Sequence, residues 1–532
     1  DALRFSQLDG IGTFSIFNTS VVERMHVFPS NPPLEYGNAS SGLISIQSND
    51  QIPENDQNNI SLSLANLGAQ TSRSLGPKTG INVFANYQPS EALIGLNEQA
   101  LDDIKDFYSA DFGVHAIHRF NDSSMVKLFN YGNMEGYKYH FIHASFDGLF
   151  DMEKLRNFTI LNYTKTMKSG ELTVNNGASF SDEAYYYGNT NIDMQKRDLY
   201  FNVNYHHFFN KLSVKTGMSY DSRWQALDGS FPVYEYALGK QHPSINHSET
   251  RKIILPEAFV YGKYEFNDHW VTGAGVRKNL PLNDRKDYLS AQWNLNYSFL
   301  NNHSINLSAG RYHNYSLPNA EIQEITLFES NHASLDYKFN SSLLEFTSAL
   351  FAKRTKFSNI EEEVSGIEVF TKAHLFRNRI ILQGSYTLIN AERQSRGLTY
   401  PTKYDLNYFV RGSLKYQHPG SSLDISLIML YREGVYYRPV IDRTFNNNLG
   451  IYNPEFTSRN KMERLPDYFK VDLSVSKLWP ISSELGIVSF FNISNLLNSK
   501  NIREKIYNYD YTETSDLLYS RRTVYFGGLI YF

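Results

Sequence analysis

The stretch Leu289-Ser290-Ala291-Gln292-Trp293-Asn294-Leu295-Asn296-Tyr297-Ser298-Phe299 alternates apolar and polar residues along its whole length. In an extended chain Leu289, Ala291, Trp293, Leu295, Tyr297 and Phe299 fall on one face, and Ser290, Gln292, Asn294, Asn296 and Ser298 on the other. Side chains of a strand point alternately to its two sides, so this period of two predicts a β-strand with one greasy and one wet face. The same period returns in Leu199, Phe201, Val203 and Tyr205 against Tyr200, Asn202 and Asn204, and in Phe469, Val471, Leu473 and Val475 against Lys470, Asp472, Ser474 and Ser476. A soluble sandwich buries its apolar face and wets the other, whereas a membrane barrel turns the apolar face to lipid and the polar one to its lumen; alternation alone leaves both open.

The turns separate them. A bulky residue followed by a short Asn-rich or Gly-rich turn recurs at Phe120-Asn121-Asp122, Phe209-Asn210-Lys211, Phe266-Asn267-Asp268, Leu300-Asn301-Asn302, Phe339-Asn340-Ser341 and Phe376-Arg377-Asn378. Weaker members are Gly76-Pro77-Lys78-Thr79-Gly80, Lys168-Ser169-Gly170, His418-Pro419-Gly420 and Trp479-Pro480. Each predicts a tight link between adjacent antiparallel strands. Between them lie Tyr-rich polar stretches expected to be long, irregular loops, around Tyr185 to Asn191, Trp224 to Thr250 and Arg438 to Met462. Short turns on one side and long loops on the other is the asymmetry of an outer-membrane barrel, and about ten such turns imply roughly 22 strands. A sheet this wide is expected to close, which removes both edges. The spacing between turns, roughly 40 residues, also suits propeller blades, but no Trp-Asp or Gly-His repeat signature is present and the strands are long for blades. The final strand alternates Val524, Phe526, Ile530 and Phe532 with Tyr525, Gly527 and Tyr531, and an apolar strand at this position is expected to pair with the first to close the barrel.

Composition agrees with this reading. The 532 residues have a mean hydropathy of -0.43 and contain no run of about 18 uncharged apolar residues, so helical membrane spans are not expected, while alternating barrel strands would leave the mean unremarkable. Tyr (38) and Phe (36) far outnumber Trp (4), as aromatic girdles at two membrane interfaces require and as a carbohydrate-binding β-protein would also show. Absence of Cys fits an oxidising envelope compartment. The net charge of -4 is spread without basic clusters, which argues against nucleic acid as a partner. The chain opens at Asp1 without an initiator Met or signal peptide, as expected of a processed or truncated product.

Residues 1 to 50 resemble the end of the plug of TonB-dependent outer-membrane receptors, particularly the form found in Bacteroidetes. The resemblance runs through Phe14-Ser15-Ile16-Phe17-Asn18, Val22-Glu23-Arg24-Met25-His26-Val27 and Glu35-Tyr36-Gly37-Asn38-Ala39-Ser40-Ser41-Gly42-Leu43-Ile44-Ser45-Ile46. Phe28-Pro29-Ser30-Asn31-Pro32-Pro33 departs from the family, where a Gly-Pro usually precedes the Tyr-Gly. Further matches are Gly366-Ile367-Glu368, expected to open a strand; Arg464-Leu465-Pro466-Asp467-Tyr468 before Val471-Asp472-Leu473; Phe491-Asn492-Ile493-Ser494-Asn495-Leu496-Leu497-Asn498; and Arg521-Arg522-Thr523-Val524-Tyr525-Phe526-Gly527-Gly528. The resemblance implies an all-β chain: a C-terminal plug part over residues 1–52 and a transmembrane antiparallel barrel of about 22 strands over 53–532. It also implies an upstream plug half and a TonB-contacting segment, expected to precede Asp1 in the native protein.

Chemistry is sparse. His115 with His118 and His140 with His143 are spaced three apart, which on a strand sends the pair to opposite faces, so polar interfacial or lumen-facing roles are favoured over metal ligation. Glu361, Glu362 and Glu363, expected in a loop, have the oxygen chemistry for Ca²⁺ but read better as a solvated charge run. No hydrolase, metalloprotease or nucleotide-binding pattern appears, so neither an enzyme nor a cofactor or metal is expected. Ligand capture falls to the loops and lumen mouth, where Tyr, Trp and Arg offer flat and forked surfaces: Tyr185, Tyr186, Tyr187, Trp224, Tyr234, Tyr236, Arg432, Tyr436, Tyr437 and Arg438. For each of these the competing role is girdle or loop packing.

The family resemblance implies import of a specific ligand across the bacterial outer membrane, with outer-membrane lipids and TonB as partners and a surface lipoprotein or other outer-membrane subunits as further ones. Two other readings stand beside it: a receptor-like barrel within a secretion or barrel-insertion assembly, and a passive channel.

Overall fold

The computed structural model describes residues 21–282, 286–318 and 324–532; Phe14 to Asn18 of the plug-like stretch lie outside the described residues. Twenty-two antiparallel strands, from Gln57–Ser63 to Thr523–Tyr531, close into one barrel. The strand that begins at Leu398–Pro401 resumes at Leu406–His418 on the same neighbour, past an irregularity opposite Ile389, and counts as one. The seam pairs the last strand with the first through Asn59↔Tyr531, Ile60↔Ile530 and Leu62↔Gly528. Asn58 and Phe532 extend it by exchanging backbone hydrogen bonds of 2.8 and 3.0 Å. In hydrocarbon an unpaired backbone amide costs several kcal/mol, so this joint is what lets the sheet exist in a bilayer at all.

All ten expected turns lie at one end of the barrel, connecting neighbouring strands. Leu300, Asn301, Phe376, Arg377 and Asn378 adopt positive φ in two of them, between 50° and 67°, where Asn is well suited. Phe120, Phe209, Phe266, Leu300, Phe376 and Trp479 all project outward there, each about half exposed or more. They form an interfacial girdle, which explains why a bulky residue precedes each turn.

The outer face locates the membrane. On Thr190–Phe208 it reads Tyr205, Val203, Phe201, Leu199 from the turn end and then becomes Arg197, which pairs with Asp182 of the neighbouring strand at 2.7 Å. Next to it Lys138 pairs with Asp151 at 3.2 Å. An apolar run of about ten residues is what a tilted strand needs to cross the hydrocarbon. The seven strands from Ile104–Asn121 to Ser244–Glu265 are 18 to 22 residues long and so rise well past this boundary, while strands beside the seam have 7 to 9 residues. The barrel is a membrane-spanning one with a tall wall on one side and a low rim on the other.

Four expectations from the sequence are corrected, two of them on the tall wall. Tyr185 to Asn191 is not an irregular loop: Gly170–Tyr187 runs to the two-residue turn Gly188-Asn189, and the next strand starts at Thr190. Trp224 lies within Leu212–Pro232, and Ser244 to Thr250 within Ser244–Glu265, leaving only residues 233–243 as loop. Above the bilayer the outer face no longer has to be apolar, so alternation fades although the hydrogen-bonded ladder continues. Glu361, Glu362 and Glu363 likewise sit in the strand Ile360–Leu375, where Glu361 meets Arg354 and Lys356 and Glu362 meets Arg393, so they are cross-strand ion-pair partners and not a loop run. Gly366-Ile367-Glu368 lies in the middle of that strand and does not open it.

Met218 and Ser213 stand on one strand, the first facing lipid and the second the lumen. Met218→Arg is expected to lower the folding free energy in lipid vesicles by about 2–4 kcal/mol. Ser213→Arg is expected to change it by less than about 1 kcal/mol. Equal penalties in a denaturant titration would contradict the assignment of faces.

Candidate functional site

The hairpin Val22–Phe28 with Leu43–Ser48 crosses the lumen. Its base is tied to one wall: Val21 is buried against Phe84, Phe129, Tyr131 and Phe158, Lys127 Nζ donates to the Ser48 carbonyl at 3.2 Å, and Arg119 Nη2 to that of Asp50 at 2.8 Å. Its broad tip, residues 29–42, lies on the far wall. There the Asn31 backbone N–H donates to His332 Nδ1 at 3.2 Å, and its side-chain amide to Ser308 Oγ at 2.8 Å. His332 Nε2 meets the Ser40 carbonyl at 3.0 Å, so a neutral imidazole serving both contacts carries its proton on Nε2. Asn38 Oδ1 accepts the Tyr315 backbone N–H at 2.7 Å, and Lys215 pairs with Glu35.

A buried ion pair organises this docking surface. Arg277 and Glu257, neighbours on adjacent strands, have side chains only 2% exposed and meet at 2.8 Å. Tyr288 O–H donates to the second Glu257 oxygen at 2.8 Å, and Arg277 also reaches Ser219. Its remaining Nη1 donates to the carbonyls of Leu34 and Glu35, at 3.0 and 3.3 Å. The guanidinium therefore holds the lumen segment through backbone, and the Glu257 charge is what makes a buried guanidinium tolerable there. Gly37 is seated directly on the pair; a Cβ at that position would overlap the Glu257 carboxylate and the Arg277 guanidinium. This is the physical sense of the Tyr36-Gly37 motif. Sequence reading did not single out Arg277, Glu257 or His332, whose only signal is a charged or titratable residue on the polar face of a strand.

Between the segment and the wall lies a cavity of about 670 Å³, lined by Asn31, Glu35, Lys215, Lys263, Asn294 and Asp336 among others. Ser213, His206 and Lys263 stand near the turn ends of their strands, so the cavity occupies the turn-side half of the lumen.

At the other end the ten expected ligand residues do not converge. Tyr185 and Tyr187 face inward on the tall wall within an aromatic cluster: Tyr185 O–H donates to Glu183 at 2.7 Å, and Tyr187 stacks on Phe150 at 5.3 Å between centroids. Tyr186 and Trp224 are on strand positions of the opposite parity and face outward. Tyr234 and Tyr236 sit together on the loop 233–243, and the Asn446 amide donates to Tyr236 Oη at 3.4 Å. Arg432 ends the barrel strand Leu423–Arg432 opposite Tyr468, while Tyr436, Tyr437 and Arg438 share the long connection leading to Tyr468–Pro480, which carries its own hairpin, Val440–Asn446 with Ile451–Phe456. A second loop hairpin, Ile502–Tyr507 with Thr514–Leu518, braces it: Tyr507 Oη accepts the Val440 N–H at 2.9 Å, and Tyr509 rests edge-on against Tyr452. These three loops meet over the mouth as one crown. Hydrogen bonds from Tyr408 and Tyr431, at 2.6 and 2.7 Å, anchor Asp467 and hold its carboxyl below the usual range despite partial burial. Burial, together with its bond to Glu463, pushes the Tyr437 phenol up to about 12. Both groups keep their neutral-pH charge states and act as struts. Of the paired histidines, His115 is buried on the inner face, whereas His118 bonds Thr79 and His140 bonds Asp147.

Gly37→Val is expected to unseat the tip, because neither partner of a buried ion pair can move aside cheaply, and to make residues 29–42 cleavable by protease in the detergent-solubilised protein. Glu257→Gln is expected to cost about 3–5 kcal/mol of folding free energy by leaving Arg277 buried without its counter-charge. A protected segment in the first variant, or an unchanged denaturation midpoint in the second, would contradict this arrangement.

No protein-family model matches the sequence, and no curated protein matches it. Solved structures do. The ferric yersiniabactin uptake receptor of Yersinia pestis aligns with a TM-score of 0.71 at 12% identity, over 93% of this chain and 83% of that one. The ferric-catecholate import receptor of E. coli K12 aligns with a TM-score of 0.71 at 12% identity, over 98% and 88%. An outer membrane transporter from Escherichia coli aligns with a TM-score of 0.68 at 9% identity, over 97% and 85%. The chain thus has the 22-stranded barrel fold of TonB-dependent outer-membrane receptors.

Proposed function

We propose that this protein imports a specific ligand across the bacterial outer membrane in a TonB-dependent cycle, with residues 1–52 acting as part of a plug and 53–532 as the barrel. The observation that carries this reading is the segment from Val22 to Ser48, which crosses the lumen and is held on its far wall by Arg277, His332, Ser308 and Lys215. A passive pore gains nothing from such an obstruction, whereas an importer needs one that can be released. Docking through a few polar contacts around one buried charge pair suits release, since each bond is worth about 1 kcal/mol and the wall keeps its own pairing afterwards. The structural neighbours whose names describe ferric-siderophore uptake support the importer class. Ligand specificity belongs to the loop crown, where sequence can vary without disturbing the lipid belt.

Two measurements test the reading. Reconstituted in phospholipid vesicles, the protein is expected to retain a trapped hydrophilic dye, while the Gly37→Val variant or one lacking residues 22–48 releases it. In nutrient-limited cells, deletion of this gene is expected to add no defect once TonB is removed. Dye release by the unmodified protein, or a permeability loss on deletion in TonB-less cells, would replace import with passive diffusion.

A further inference from the structure

The long loop 433–467 sorts its charges in an unusual way. Its acids are largely engaged: Glu433 meets Arg464 at 3.1 Å, Glu463 accepts the Tyr437 hydroxyl at 3.0 Å, and Asp467 accepts those of Tyr408 and Tyr431. Two of its arginines are engaged differently. Arg438 lies over the Phe456 ring at 5.4 Å and donates from Nε and Nη2 to the Thr457 carbonyl at 3.0 and 2.9 Å. Arg459, two residues beyond that carbonyl, lies over the Tyr400 ring at 5.3 Å and donates from Nη1 to its hydroxyl at 3.1 Å. Among the described residues neither guanidinium has a carboxylate within 4.0 Å. In contrast, Arg464, over the Tyr436 ring at 3.9 Å, has both Asp405 and Glu433.

Two guanidinium groups are thus oriented by aromatic faces and tied to the same turn, yet neither is neutralised. Like charges brought together repel, and burial together with the charge of Arg459 draws Arg438 below its ordinary value. A surface that needed these arginines only for packing would gain by neutralising them, as it does with Arg464. Aromatic faces preorganise a guanidinium without consuming its in-plane donors, which is the arrangement that recognition of a carboxylate or phosphate fork requires. Arg438 retains Nη1, and Arg459 retains Nε and Nη2, for such an acceptor.

We propose that Arg438 and Arg459 form an anion-binding site on the loop crown that takes a small molecule bearing two or more carboxylate or phosphate groups. The site deepens the import reading, on which its biological sense rests, by giving the ligand class, while its existence as a binding site is measured without transport. Arg459 and Tyr400 were not among the residues expected from sequence; Arg438 was.

The test uses the full chain in detergent and in bilayers, with pyrophosphate and citrate as probes followed by calorimetry. One of the two is expected to bind saturably, with Arg438→Gln and Arg459→Gln each weakening it roughly tenfold or more and Lys168→Gln, in a tight turn at the opposite end of the barrel, leaving it unchanged. Arg438→Lys, which keeps the charge but loses the two-donor tie to the Thr457 carbonyl that orients it, is expected to recover only part of the affinity. Retention of the unheated electrophoretic mobility of the barrel by each variant shows that it folds. Binding by neither probe, or binding that both glutamine variants leave intact, overturns the proposal. The same titration in phosphatidylcholine bilayers with and without lipopolysaccharide identifies the source: unchanged affinity assigns a soluble ligand, and loss of the free site assigns the lipid phosphates. If binding holds but uptake proves independent of TonB, the import reading fails and the anion site stands.

Discussion

Every backbone amide that enters hydrocarbon has to find its partner within the protein, and in this chain that constraint is met at one place that nothing else can replace, the seam between Thr523–Tyr531 and Gln57–Ser63. Each of the other pairings joins neighbours in sequence or nearly so, while the seam joins the two ends of the sheet. Once it is made, the outer face is free to be greasy and the inner face free to be polar, and the lumen becomes a protected space in which buried charge can be used for docking. The Arg277–Glu257 pair, the polar ladder that grips Asn31 and Ser40, and the cavity below them all depend on that closure.

Lumen and crown solve different problems with the same residue type. In the lumen, Arg277 is neutralised by Glu257, reaches Ser219 and gives Nη1 to backbone carbonyls, which makes it a clasp whose strength is set by burial. In the crown, Arg438 and Arg459 rest on rings with no carboxylate within 4.0 Å among the described residues, while tyrosine hydroxyls hold Glu463 and Asp467 and Arg464 holds Glu433. A clasp has to be satisfied in the resting state. An anion-binding site has to remain open until its ligand arrives, and the engagement of Glu463 and Asp467 by Tyr O–H groups and of Glu433 by Arg464 keeps these acids from it.

What the sequence disclosed follows the same physics. Within the bilayer each residue has one correct side, so the alternation from Leu289 to Phe299 and the bulky residue before each turn were legible, and with them the strand number and closure. Above the bilayer both faces are wet, the pattern loses its contrast, and Tyr185 to Asn191 and Trp224 to Pro232 read as loop although they are strand. Tyr36-Gly37 was legible as a motif, but its reason, the overlap a side chain would have with Glu257 and Arg277, lies more than 200 residues away in the chain. Long-range polar pairs carry no local period, which is why the clasp and Arg459 were missed, and why Tyr186 and Trp224 were grouped with residues that face the opposite way.

The central claim, that the lumen segment is a releasable obstruction, is tested most directly by the accessibility of the wall beneath it. Ser308 is buried under Asn31, and because residues 1–532 contain no Cys, Ser308→Cys places a single thiol among them. Labelling of intact cells with a membrane-impermeant thiol reagent, in the presence of the substrate mixture of the growth medium, is predicted to be slow in resting cells. It should accelerate when TonB and the proton gradient are both present and slow again when the gradient is collapsed. Labelling at one rate under all three conditions would contradict the account.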